Sequence, residues 1–225
     1  MKHIKEFIQN NEKLLYVVTG LMVIAVIVLV IVVLCVQNSN RQQKYSPTYV
    51  QECSITLKYN TAKGLLVEEV DKYIKRAASS SALDGYVIVE ECLENSIDIC
   101  FVLAQGEQES HFGTTGLARK TNSVFNVFAF DGLSHDAISE KGKYKHPNYS
   151  VAPYIELLKN DYLVNGKTEY DLMEKDQYVN RHGARYASSE TYERSLLDKF
   201  TKIKQTTKID SLYQETNKYK LFLGL

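Results

Sequence analysis

Hydrophobic positions follow three regimes along this chain. Residues 14–36 carry no charge and are interrupted only mildly, by Tyr16, Thr19 and Gly20. At about 1.5 Å per residue a helix of that length spans roughly 35 Å, against a hydrocarbon core of about 30 Å, so the pattern predicts a transmembrane helix. It is too long for a signal-peptide core, and no small-residue cleavage site follows it, so the predicted span is a retained anchor. Residues 37–47 are polar and rich in Asn, Gln and Ser, which reads as a tether. Residues 49–59 alternate weakly through Val50, Cys53, Ile55, Leu57 and Tyr59, as a short strand or extended arm would. From residue 61 the period changes. Leu65, Leu66, Val70, Tyr73 and Ile74 recur at helical spacing until Ser79-Ser80-Ser81 breaks the run.

Beyond that break the pattern predicts helices over 83–94 and 97–112 and a short one over 116–120. Residues 122–130 are aromatic and β-branched, and 131–145 contain Gly132 and Gly142, as a loop or small hairpin would. Helices follow over 151–160, 170–180 and 191–203, the last running toward a Lys/Thr-rich end. The expected fold class is α+β, mostly helical with a small β element, preceded by one transmembrane helix. The expected organisation is an N-terminal segment (1–13), an anchor (14–36), a linker (37–60), one globular domain (61–205) and a C-terminal tail (206–225). No internal repeat or low-complexity tract is visible.

The helix over 97–112 carries the most pointed chemistry. Val102, Gln105 and Glu109 stand at i, i+3 and i+7 on one stripe that passes from apolar to acidic. Glu109 is therefore expected at the edge of a core, where partial desolvation favours the protonated form a general acid needs. Glu107 lies about 200° around the helix from it and is expected to point away. Gly113 suits a left-handed helix stop, and Thr114 or Thr115 suits the cap of a following turn. On spacing alone, an acid in a last helical turn is more often solvated surface.

Ala104-Gln105-Gly-Glu-Gln-Glu109-Ser110-His-Phe112-Gly113, then Leu117-Ala118, then Asn122-Ser-Val-Phe125-Asn126-Val127, resembles the glucosaminidase family of peptidoglycan hydrolases, glycoside hydrolase family 73. Ser123 and Asn126 depart from that family's Asn and Gly. A second segment, Gly183-Ala-Arg-Tyr186-Ala187-Ser188-Ser-Glu-Thr-Tyr192, resembles the family's Gly-Tyr-Ala-Thr-Asp-x-x-Tyr stretch. The resemblance covers roughly residues 83–200. It implies a lysozyme-like domain that cleaves glycan strands, with Glu109 as general acid and Tyr186 on the active-site tyrosine. It also implies Gln105, Asn122, Phe125 and Asn126 along the sugar cleft. Ser110-His-Phe-Gly and Phe125-Asn-Val are also similar to segments of lysozyme-like proteins from tailed phages and gut Bacteroidales, which would make this a phage or phage-derived chain.

Glycoside hydrolysis usually employs two carboxylates. The loop after Phe130 offers Asp131, Asp136 and Glu140; Asp131 directly follows the aromatic segment and is the first choice, Glu140 the next. A substrate-assisted route would need only Glu109 and Tyr186. A lytic transglycosylase would use a single glutamate, and a non-catalytic wall-binding or virion module on the same fold would use none. No cofactor and no metal are expected: His111, His135, His146 and His182 lack zinc-ligand spacing. The 27 basic and 27 acidic side chains balance, which leaves no basic excess for nucleic acid. Cys92 and Cys100 sit on apolar faces as buried thiols, and nothing selects a partner for Cys53. The expected partners are peptidoglycan glycan strands and a lipid bilayer through residues 14–36. Lys2, Lys5 and Lys13 before the span outnumber Arg41 and Lys44 just after it. That bias predicts a single-pass protein with its N-terminus in the cytoplasm and its domain on the periplasmic or extracellular side, or a virion-associated one.

Overall fold

A computed structural model describes residues 26–32, 47–127 and 139–225, with backbone alone at 47–50. The chain divides into two compact units, 1–54 and 55–225. In the first, residues 26–32 are helical with exposed side chains. Among the described residues no helix is long and apolar enough to cross a membrane, which overturns the expected anchor and the single-pass location built on it. The other residues of the 14–36 stretch lie outside those described.

The second unit is helical. Its one β contact among the described residues is an isolated antiparallel bridge between Val179 and Arg185, so the expected α+β class with a small β element is also corrected. Strand formation at the start of 122–130 is prevented by Asn122 and Asn126, both left-handed (φ 55° and 50°), which fold the segment into successive turns. Residues 128–138, which complete that segment and most of the expected hairpin, lie outside the described residues. After them Glu140–Gly142 forms a single 3-10 turn.

Helix α1 covers Pro47–Ala77 and absorbs the stretch expected as a strand or arm. Ile55, Tyr59, Ala62, Leu66, Val70 and Tyr73 recur every three or four residues and are all at least half-buried. That stripe extends the helical period backward past residue 61 and prevails over the weak alternation at 49–59. Helix α2, Gly85–Asn95, is capped by Asp84, whose carboxylate accepts from Tyr86 N at 2.9 Å. Gly85 lies against α1: its N–H donates to Asp71 Oδ1 at 2.7 Å. Helix α3, Ile99–Ser110, is the centre of the unit, and residues 99–106 are all buried. It closes at His111 and Phe112, both left-handed, with Phe112 N bonded to Gly106 O at 3.0 Å. The stop therefore comes before Gly113.

Short α4 (Ala118–Thr121) precedes the 122–127 turns, and α5 (Val151–Leu157) runs into one π turn, Leu158–Tyr162. The helix expected over 170–180 is only α6, Glu169–Leu172, set by a capping box of Thr168 and Asp171. After it the chain turns, with Asp176 left-handed, and delivers Tyr178 to the core. Helices α7 (Tyr192–Thr206) and α8 (Ile209–Leu223) follow. The expected tail is thus mostly helix. Thr207 is extended and its hydroxyl accepts from Ile209 N at 3.2 Å, which ends α7 and starts α8. Tyr213 of α8 fixes the new helix by donating to Ile97 O at 2.7 Å.

The α1–α2 approach gives the first prediction. A Cβ on Gly85 would stand 2.7 Å from Asp71 Oδ1, 2.9 Å from Val70 Cγ1 and 3.0 Å from Asp71 N, so relief requires backbone movement. Gly85→Ala is expected to destabilise by about 1–3 kcal/mol despite its better helix propensity, as read by urea unfolding. An unchanged midpoint would refute the close approach.

Candidate functional site

The buried stripe of α3 ends at its two glutamates, and the helix aims them at different neighbours. Glu107 accepts from the Tyr73 hydroxyl of α1 and pairs with Lys199 Nζ of α7 at 3.2 Å. Burial acts to raise its carboxyl, but the Tyr73 hydrogen bond and the Lys199 charge prevail and hold it below the ordinary glutamate value. Glu107 is a tie between α1, α3 and α7. Glu109, partly exposed, turns to the other side: its Oε1 accepts from the Tyr192 hydroxyl and its Oε2 from Asn126 Nδ2 at 3.2 Å. The same Asn126 amide also donates to the Glu109 backbone carbonyl at 2.9 Å.

Each donor is delivered by a separate local device. Asn126 sits in the turns after α4, where its left-handed backbone aims the side chain back at the end of α3. Ser110 holds that junction by donating to Val124 O at 2.6 Å while accepting from Gly113 N at 2.7 Å. Ser150 Oγ accepts from Val124 N at 3.1 Å on the other side of the turn. Tyr192 stands at the start of α7, and Gln108 Nε2 donates to its backbone carbonyl at 3.1 Å.

Behind Glu109 lies a cluster of aromatic rings joined by one buried amide. Gln105 is fully buried: its Oε1 accepts from the Tyr178 hydroxyl at 3.0 Å and its Nε2 donates to Tyr192 Oη at 2.8 Å. Tyr186 stacks on Tyr178 (4.6 Å between centroids, 22° between planes) and donates its hydroxyl to Phe125 O at 2.8 Å. Phe125 in turn stacks on Tyr154 at 3.8 Å. Burial, reinforced by the Glu109 charge, pushes the Tyr186 and Tyr192 phenols well above their ordinary values. Both therefore remain protonated donors at neutral pH.

The residues expected around the chemistry are placed unequally. Glu109, Tyr186 and Asn126 gather at one site. Gln105 and Phe125, expected along a sugar cleft, have no exposed surface and form the packed floor behind it. Asn122 is half-buried and its amide donates to Tyr144 O at 2.8 Å. Asp131 and Asp136 lie outside the described residues. Glu140 is exposed and pairs with Lys143 at 2.9 Å. The residue that sequence reasoning missed is Tyr192. It stands within the Gly183–Tyr192 segment, six residues after Tyr186, but only the fold shows that its hydroxyl meets Glu109.

Two other features lie apart from this site. Asp98, Cys100 and Asp210 bring potential metal ligands within 4.8 Å of one another. Lys204 Nζ supplies the positive charge there, 3.0 Å from each carboxylate, and burial raises the Cys100 thiol far from its thiolate form. A groove of about 610 Å³ opens between the α6 region and α7, lined by Tyr170, Met173, Glu190, Thr191, Arg194 and Leu197 among others; Glu109 does not line it. No protein-family model matches the chain, and no curated protein does.

The tie through Glu107 has a pH signature. A carboxyl depressed in the folded state favours folding above its unfolded value near 4.5, and that stability is lost as pH falls through the lower folded value. Urea unfolding from about pH 6 to about pH 3 is expected to show a flatter acid decline for Glu107→Gln than for the parent protein. Parallel declines would exclude this role for Glu107.

Proposed function

We propose that this chain is a glycoside hydrolase acting on the peptidoglycan backbone, of endo-N-acetylglucosaminidase type, with Glu109 as the proton donor. The observation that carries the reading is the position of Glu109. It stands in the partly exposed last turn of a helix that is buried over residues 99–106, held by a phenol and an amide, within a sequence segment resembling that enzyme family. A carboxyl in such a setting can protonate a glycosidic oxygen as the bond to the anomeric carbon breaks. Tyr186 lies beside it with its ring packed and its hydroxyl on Phe125 O, so its contribution would be to shape and polarise the sugar site.

A second reading, lytic transglycosylation, draws support from Glu140. Among the described residues this candidate second carboxylate is committed to a surface pair with Lys143. Chemistry that needs one carboxylate suits that arrangement, either with the substrate's N-acetyl oxygen attacking the anomeric carbon or with the muramyl 6-hydroxyl doing so. A wall-binding module without turnover is the remaining outcome.

Digestion of purified peptidoglycan by the full-length chain, with mass spectrometry of the products, separates the three. Reducing N-acetylglucosamine ends are expected, and Glu109→Gln is expected to lower the rate by at least about 100-fold while the fold is retained. Anhydromuramyl ends would replace hydrolysis by transglycosylation. Intact glycan with bound protein would reduce the site to recognition.

A further inference from the structure

The groove between the turn after α6 and the start of α7 has a volume of about 610 Å³, within the range of about 300–1,000 Å³ that suits a small ligand. Its floor is apolar and fixed. Met173 is buried, and the Tyr170 ring is held edge-on to Phe200 at 5.2 Å, with its hydroxyl accepting from Lys204 Nζ at 3.1 Å. Tyr170 and Leu197 nevertheless keep exposed surface there, which a ligand would cover. The walls are charged in pairs. Glu174 and Lys175 stand on the α6 side, Glu190 and Arg194 on the α7 side, and all four side chains are exposed. Among the described residues none of the four forms an ion pair, although each wall carries both signs. Glu193 differs from them: it is buried, and both its oxygens accept from Arg185 Nη2, at 2.8 and 2.9 Å. Two anions and two cations therefore face the groove over an apolar floor.

We propose that this groove binds a short peptide bearing both a free amine and a free carboxylate. The carboxylate pairs with Arg194 and Lys175, the amine with Glu174 and Glu190, and small apolar side chains cover Met173 and Leu197. A ligand with charge of one sign would meet repulsion from each wall, and an uncharged sugar would use the floor but not the signs of the walls. A peptide with both charges matches all of these, and the guanidinium fork of Arg194 suits a carboxylate. Exposed ion pairs are individually weak, so such a peptide binds poorly when free and better when tethered to something already held. Naming it as the stem peptide of the bacterial wall rests on the hydrolase reading, in which a glycan at Glu109 carries such peptides. The first turn of α7 borders both places: Tyr192 reaches Glu109, while Glu190 and Arg194 line the groove. Binding of a doubly charged peptide does not itself depend on that reading.

Methionine methyl resonances of the full-length protein supply the test. The chain has 3 methionines, and the Met173 signal is identified by its loss in Met173→Leu. The probe is stem peptide released from peptidoglycan by an amidase, with its amine and carboxylates free. Saturable movement of the Met173 methyl is expected, with an affinity at least about fivefold lower in Arg194→Glu, a change at an exposed side chain. Acetylating the peptide's amine, or amidating its carboxylates, is expected to lower its affinity for the parent protein by a similar factor, which keeps the test independent of how the variant folds. A Met173 methyl that the peptide does not move, or an affinity unchanged when both kinds of charge are blocked, would overturn the proposal. Movement caused by peptide-free glycan strands and not by the peptide would also overturn it. Product analysis of wall digestion reads the hydrolase assignment separately. Intact glycan with peptide bound at Met173 would reject hydrolysis and retain the groove; cleavage with Met173 unmoved would do the reverse.

Discussion

The burial of α3 is the constraint on which the rest of the unit depends. Residues 99–106 form two turns with no solvent-facing side, so α1, α2, α5, α7 and α8 supply the core that covers them. A helix enclosed in this way can present polar groups only at its ends. At the start, Asp98 caps the helix and takes a cation from Lys204. At the finish, two glutamates two residues apart leave the core by opposite exits. That enclosure makes Glu109 an edge residue without making it a solvated one.

Gln105 is the exception inside the enclosure, and a polar side chain without exposure needs partners at both ends of its amide. Tyr178 and Tyr192 provide them. Neither tyrosine is near Gln105 in sequence, and both come from the segment that follows α6, where the chain leaves helical geometry at Met173 and regains it at Tyr192. The irregular stretch thus has a packing role: it brings three tyrosines, at 178, 186 and 192, against one another and against the end of α3. A continuous helix over 170–180 would have kept Tyr178 on a helix face and left Gln105 without its donor.

What the sequence made legible follows from the range of the interactions involved. Local periodicity was sufficient for α2, α3 and α7, and for the divergence of Glu107 from Glu109, because each depends on neighbours within two turns. Weak alternation misled at 49–59, where the competing signal was a stripe from Ile55 through Ala62 to Leu66 that is seen only when both sides of residue 61 are read together. Asn122 and Asn126 gave the opposite kind of error. Their neighbours are β-branched and aromatic, yet two left-handed residues four apart preclude a strand, and asparagine tolerates that conformation. Within the candidate site, the helical stripe put Glu109 at the edge of the core but could not tell lining from floor. Phe125 and Gln105 belong to the floor because of stacking on Tyr154 and bonding to Tyr178, both distant in sequence.

The two glutamates differ in the chemistry of the groups that hold them. Glu107 is held by a phenol and an ammonium, and the ammonium stabilises its anion by charge as well as by hydrogen bonding. Protonating it would forfeit that attraction. The Tyr192 phenol and the Asn126 amide that donate to Glu109 are, by contrast, neutral groups. The donors are also unequal. Tyr192 is buried and fixed by Gln105, whereas Asn126 spans the carboxylate and the backbone carbonyl of the same residue and can shift its weight between them. Among the described contacts, a neutral donor on each oxygen thus distinguishes Glu109 from Glu107, whose anion the Lys199 ammonium stabilises.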